Sequence, residues 1–210
     1  KHAKFSKSFV DSERSWQANY GQLTCEHCNL TYFHYKGWFL SKLISNFAKL
    51  NSLTKEMKLI VVTTPTFFVE EDKIITALFE EGLDILHLRK PETPAMYSER
   101  LLTLIPEKYH KRIVTHEHFY LKEEFNLMGI HLNARNPKEP HDYSGHISCS
   151  CHSVEEVKNK KHFYDYVFMS PVYDSISKEG YNSPYTAEEL RLAAKDKIID
   201  NKVMALGGIT

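Results

Sequence analysis

The segment Asp165-Tyr-Val-Phe-Met-Ser-Pro-Val-Tyr-Asp-Ser-Ile-Ser-Lys178 decides how the chain is read. Tyr166 to Met169 is an apolar run too short for a helix, and its aromatic and branched residues suit a buried strand. Ser170-Pro171 stops that strand, because proline cannot continue a hydrogen-bonded ladder. The loop that follows carries three hydroxyls (Tyr173, Ser175 and Ser177) and one cation, Lys178. Hydroxyl donors and a lysine placed after a parallel strand suit an anionic ligand.

Working outward, the same strand-then-polar-loop unit recurs from Met57 onward. Lys58–Thr64 reads as a buried strand, and a helix over Glu70–Glu81 follows, with Gly82 set to cap its C-terminus. Asp84–Arg89 is a second strand. Thr93-Pro94 opens a helix bearing Tyr97, Leu101, Leu104 and Ile105, with proline at the favoured first position. Arg112–Thr115 is a short third strand, 117–127 has a helical pattern, and Met128–Leu132 is a fourth strand. A proline-rich loop over 133–145 leads to a fifth strand, His146–Ser150. Ser153-Val-Glu-Glu156 and Thr186-Ala-Glu-Glu189 are capping boxes that start helices on either side of the sixth strand. Lys202–Leu206 is the seventh strand and ends at Gly207-Gly208.

Seven strands with mostly helical connections imply a parallel sheet with right-handed crossovers. A doubly wound open sheet and a (β/α)8 barrel both fit. Seven strands, with the sequence ending just after the seventh, favour a TIM (β/α)8 barrel lacking its final β/α unit. Such a barrel leaves strand edges open, so the chain as it stands is expected to be poorly active. Residues 1–56 differ: they are net basic and lack strand–helix alternation, and form an irregular or helical N-terminal extension. Residues 37–50 have the spacing of an amphipathic helix. Cys25-Glu-His-Cys28 offers half of a zinc site with no second pair to complete it. Another reading is that 1–56 is not native coding sequence, since Met57 stands directly before the first strand.

The chain has 210 residues, 42% of them hydrophobic, and equal numbers of acidic and basic residues, 27 of each. That balance gives no nucleic-acid footprint. No apolar run is long enough to span a bilayer, and four cysteines do not make a disulfide scaffold. A cytoplasmic location is expected.

In a barrel, the loops after the strands share one face and build the site. Here that face collects His87, Arg89 and Lys90; Thr115, His116, Glu117 and His118; His131, Asn133, Arg135 and Asn136; Ser150, Cys151 and His152; Ser175, Ser177 and Lys178; and Gly207 and Gly208. Paired glycines let a phosphate approach bare backbone N–H groups; they equally suit a tight turn.

The segments LIVVTT, HLRK, GIHL, SCSCHSVEE, YDYVFMSPVYDSISK and VMALGGI, in this order, resemble the thiamine-phosphate synthase/TenI superfamily over 57–210. The resemblance implies a phosphate site of Arg89, Lys178, Ser175, Ser177, Gly207 and Gly208, and a pocket including Thr115, His131, Ser150 and Cys151. It implies phosphorylated thiazole or pyrimidine ligands and a homodimer. Two activities occur in the superfamily. A synthase joins a pyrimidine pyrophosphate to a thiazole phosphate with Mg²⁺, and a TenI-type tautomerase moves protons on a thiazole carboxylate phosphate. Against the synthase pattern, His87 takes a glutamine position, Pro91 a lysine position, and Thr115-His116 and Asn136 the Mg²⁺-ligand positions. Glu117 and Asp142 are the acidic residues available to substitute. Mg²⁺ is therefore expected only if the chain is a synthase, and no other metal or cofactor is assigned. His152 matches the TenI acid/base histidine, with His87 and His116 as further candidates. The favoured expectation is TenI-like proton transfer, with the synthase and a non-catalytic phosphate binder as alternatives.

Overall fold

The computed structural model describes residues 58–174 and 182–207, together with the backbone of 22–25. Eight strands form one sheet in sequential order: β1 (Gln22–Cys25), β2 (Leu59–Val62), β3 (Ile85–Leu88), β4 (Ile113–Thr115), β5 (Gly129–Leu132), β6 (His146–Cys151), β7 (Tyr166–Met169) and β8 (Val203–Ala205). Strands β2 to β8 are parallel. Among the described residues, five α-helices lie on the crossovers: α1 (Glu71–Glu80), α2 (Ala95–Leu104), α3 (Leu121–Glu124), α4 (Val154–Lys160) and α5 (Ala187–Lys195). This is a curled parallel α/β sheet of the TIM-barrel type. Among the described residues, no helix is long and apolar enough to cross a membrane.

The strands are buried on both faces, and their two-residue period sorts the core into layers. One set of side chains turns inward: Ile60, Val62, Ile85, Val114, Tyr166, Phe168 and Met204 pack together. The alternate set packs against the helices in two groups. Leu59, Val61, Leu86 and Leu88 meet α1 and α2 residues such as Leu78 and Leu102, while Ile130, Cys149, Cys151, Val167 and Met169 meet Val157 of α4. Each fully buried aliphatic side chain contributes about 1.5–3 kcal/mol.

The helix starts follow the capping residues. At α5 the box is complete: Thr186 accepts from the Glu189 N–H, and the Glu189 carboxylate accepts from the Thr186 N–H. At α4 it is half formed. Ser153 accepts from Glu156 N–H, but the Glu156 carboxylate accepts from the His152 N–H instead. The helical pattern over 117–127 yields only the four residues of α3, because His118 and Asn126 take left-handed backbone angles at either end.

The N-terminal extension departs from expectation. Its backbone at Gln22–Cys25 forms a strand that pairs antiparallel with β2 and also lies against β8. The edge expected to be open on the first parallel strand is therefore paired, because a short extended segment satisfies the β2 ladder from outside. The amphipathic pattern over 37–50 and the cysteine–histidine cluster around Cys28 lie outside the described residues.

Candidate active site

Inward-facing positions bring three histidines together at the centre of the sheet. His87 is on β3, His131 is on β5, and His116 follows β4 directly. All three are buried. His87 Nδ1 lies 2.8 Å from His116 Nε2. The other ring nitrogen of His87 hydrogen-bonds the Tyr166 hydroxyl. His131 Nδ1 is 2.8 Å from Ser148 Oγ, and its Nε2 is 2.9 Å from Ser150 Oγ. The His116 and His131 rings stack with centroids 4.2 Å apart, and Phe168 packs against His87 and His131.

Burial disfavours the charged imidazolium. It holds His87 and His116 well below the usual histidine range and is the largest cause in both. It brings His131 down to about 3. Neighbouring charges add to this: Arg89 and Arg135 depress His116 further, and Arg89 acts on His131. The cluster is a neutral, hydrogen-bonded unit at neutral pH.

Above it sits a polar rim. Arg135 Nη2 lies 3.2 Å from Glu117 Oε1, and Glu117 Oε2 accepts from the Lys90 N–H at 2.9 Å. Burial and Arg135 lower the Arg89 guanidinium, offset by Glu117. Asn136 Nδ2 donates to the His116 carbonyl at 2.9 Å. Lys90 does not join the rim. Its Nζ is 2.6 Å from Glu71 Oε1 and 2.9 Å from the Thr66 carbonyl, and the side chain is fully buried.

The expected site residues separate by strand alternation. His87, His116, His131 and Ser150 converge at the centre. Thr115 points to the opposite face, where its hydroxyl donates to the Glu117 carbonyl at 2.6 Å. Cys151 likewise lies in the sheet–helix layer with Val157 and Met169, because it shares the outward parity of Cys149. Neither side chain faces the histidine cluster. His152 is exposed just past β6. Its Nδ1 lies 2.8 Å from the Ser170 carbonyl, and its main-chain N–H donates to Glu156 Oε2 at 2.7 Å. Gly207 has φ +98°, and a Cβ there would come 2.9 Å from Pro171 Cβ. Ser175, Ser177, Lys178 and Gly208 lie outside the described residues. Tyr166 and Ser148 were not anticipated as partners of the cluster; both share the inward parity of their strands, which is the signal that could have found them.

The positions that match the synthase's Mg²⁺ ligands do not fit that ion. Mg²⁺ prefers carboxylate oxygens and water. Here the Thr115 hydroxyl is bound to Glu117, His116 to His87, and Asn136 to the His116 carbonyl. Glu117 is held by Arg135 and Lys90, while Asp142 is exposed beside His141.

Comparisons with known proteins agree with the fold. The family model for thiamine monophosphate synthase matches residues 59–210. A thiamine-phosphate synthase of Halalkalibacterium halodurans is 26% identical over 168 residues, covering 74% of this chain and 78% of the relative. A crystal structure of thiamine phosphate pyrophosphorylase from Bacteroides thetaiotaomicron is 85% identical with a TM-score of 0.63, covering 69% of this chain and 68% of that one. A match spanning β2 to the end of the chain, on a parallel sheet with its polar residues gathered after the strands, means that this chain belongs to the thiamine monophosphate synthase family.

Proposed function

We propose that this protein moves a proton on a thiazole phosphate, with His152 carrying it. The observation behind this reading is the anchoring of His152. The Ser170 carbonyl can only accept a hydrogen bond, so Nδ1 bears the ring proton and Nε2 the lone pair. The Glu156 carboxylate holds the residue's main chain from the other side. An exposed histidine of fixed tautomer suits proton shuttling. The substrate phosphate would be held by Gly207, Gly208, Lys178, Ser175 and Ser177, with Arg89 as a second cation. His87 and His116 are buried and hydrogen-bonded to each other, whereas His152 is exposed.

The second reading is the synthase, joining a pyrimidine pyrophosphate to a thiazole phosphate. The name of the 85% identical relative favours it; the engaged groups at the Mg²⁺-ligand positions count against it. A homodimer, tested by sedimentation, accompanies either reading.

The test follows solvent deuterium entering thiazole carboxylate phosphate by NMR, alongside Mg²⁺-dependent pyrophosphate release with the pyrimidine substrate. The expected result is exchange that is lost in His152→Ala. Pyrophosphate release without exchange would replace this reading with the synthase. Phosphate binding with neither reaction would leave a non-catalytic binder.

A further inference from the structure

We infer that the His87–His116–His131 cluster is a binding site for a borderline transition-metal ion of the Zn²⁺ class. It shares His116 with the positions that match the synthase's Mg²⁺ ligands but has an imidazole donor set, and it does not depend on the proton-transfer reading. The ligand atoms of the three residues all lie within 4.8 Å of one another, and all three residues are buried. No other group of three histidine, cysteine or acidic side chains comes together in this way among the described residues. Imidazole in its neutral form is the metal-binding form, and it suits zinc, copper, iron and nickel rather than magnesium.

At His87 and His131 the surroundings resemble the outer shell of a histidine–metal site, in which the second ring nitrogen of a ligand is held by an oxygen. If His87 binds through Nδ1, its Nε2 is already held by the Tyr166 hydroxyl. If His131 binds through one nitrogen, Ser148 or Ser150 still holds the other. Serine hydroxyls donate or accept as required, so either choice keeps the remaining bond.

Geometry sets what binding must change. Zinc–nitrogen bonds of about 2.0–2.1 Å in a tetrahedral site place the nitrogens about 3.3 Å apart. The His87–His116 separation of 2.8 Å is that of a hydrogen bond. The ion would displace the shared proton, which passes to the other nitrogen of the ring that carried it, and would widen this pair by about half an ångström. His131, stacked on His116, would turn its ring to aim a nitrogen at the ion. Three neutral ligands leave the charge of a dication uncompensated, with Arg89 and Arg135 close by. The fourth position therefore calls for an anion, such as hydroxide or an oxyanion drawn in by the same guanidinium groups.

The probes are Zn²⁺ and Co²⁺ alone, added to the full chain. The expected result is one equivalent of Zn²⁺ retained on dialysis, with the visible absorption of tetrahedral Co²⁺ and no thiolate charge-transfer band. The Co²⁺ signal should survive Cys25→Ser with Cys28→Ser, and exposed His141→Asn, but disappear in His87→Gln with His131→Asn. Imidazole ¹⁵N shifts in the unmodified chain supply a readout that does not depend on the variants folding: Zn²⁺ should move three buried histidines and leave the exposed ones unchanged. No stoichiometric uptake by the unmodified chain would overturn the proposal. So would a thiolate band lost with the two cysteines, or a signal that survives the two histidine substitutions in a folded protein.

Discussion

His87 and His116 share a hydrogen bond of 2.8 Å between two ring nitrogens, wholly inside the sheet. One ring must donate and the other accept, so the pair holds a single proton between the facing nitrogens. Adding a proton breaks this arrangement in a place where charge is poorly solvated.

Acid should therefore destabilise the fold through this cluster. The folded-state values lie below the ordinary 6.5, with His131 near 3. The unfolded chain binds more protons than the folded one in that window. Stability is then fully present above about pH 6.5 and is lost as pH falls, by roughly 1.4 kcal/mol per pH unit per histidine. Urea unfolding at several pH values between 7.5 and 4.5 measures this, and His131→Asn should flatten the dependence. An unchanged slope in that variant would remove His131 from the account.

Lys90 and Glu71 form a buried ion pair at 2.6 Å. Burial raises Glu71 and lowers Lys90, and mutual attraction offsets both. Lys90→Met leaves a buried carboxylate alone and should cost about 3–5 kcal/mol, while Lys90→Met with Glu71→Leu should recover most of that. Chemical denaturation of the single and double variants decides it. A Lys90→Met protein of undiminished stability that has lost phosphate affinity would instead make Lys90 a ligand contact.

Gly207 and Gly129 should fail differently when replaced by alanine. At Gly207 the positive φ and the Pro171 contact predict a loss of about 1–3 kcal/mol, together with weakened phosphate binding. At Gly129 a Cβ would meet the His146 carbonyl oxygen at 2.1 Å. That is backbone in the β5–β6 ladder and cannot swing aside, so the second variant should be the less stable of the two. Thermal melts and phosphate titrations compare them.

Cys149 and Cys151 are buried in the sheet–helix layer. The Cys149 thiol is pushed up, first by its hydrogen bond to Cys151 and then by burial. The same hydrogen bond lowers the Cys151 thiol, but a nucleophilic thiol also needs access, and burial denies it to both, so neither should be alkylated by iodoacetamide in the folded protein. Peptide mapping before and after denaturation reads this directly. Fast labelling of Cys151 in the native state would return it to the pocket.

Thr186→Ala removes the hydroxyl that accepts from the Glu189 N–H and donates to its carboxylate, leaving the main-chain arm of the α5 capping box, and should cost about 0.5–2 kcal/mol. Ser153→Ala, which removes a single accepted bond at α4, should cost less. Equal losses in denaturation would mean that the bond from the Thr186 hydroxyl to the Glu189 carboxylate adds nothing.

The sequence by itself determined the strand–helix order, the strand ends and the two helix starts, because these depend on local periodicity, proline, glycine and capping chemistry. It also carried the family, through segments such as Gly129-Ile-His-Leu132 and Ser170-Pro-Val-Tyr173. Parity on a strand buried on both sides is a different matter. A two-residue period says that Ser150 and Cys151 face opposite ways, but both faces of a parallel strand are apolar, and nothing local marks which one is the interior. Only the curl of the sheet sent His87, His116, His131 and Tyr166 to one centre and turned Thr115 and Cys151 toward the helices. Tertiary packing likewise took Lys90 from the rim to Glu71, nineteen residues earlier in the chain, and brought Gln22–Cys25 onto the edge of β2. Neither contact could be read in advance, because each depends on partners that are distant in sequence and that a single chain segment does not encode.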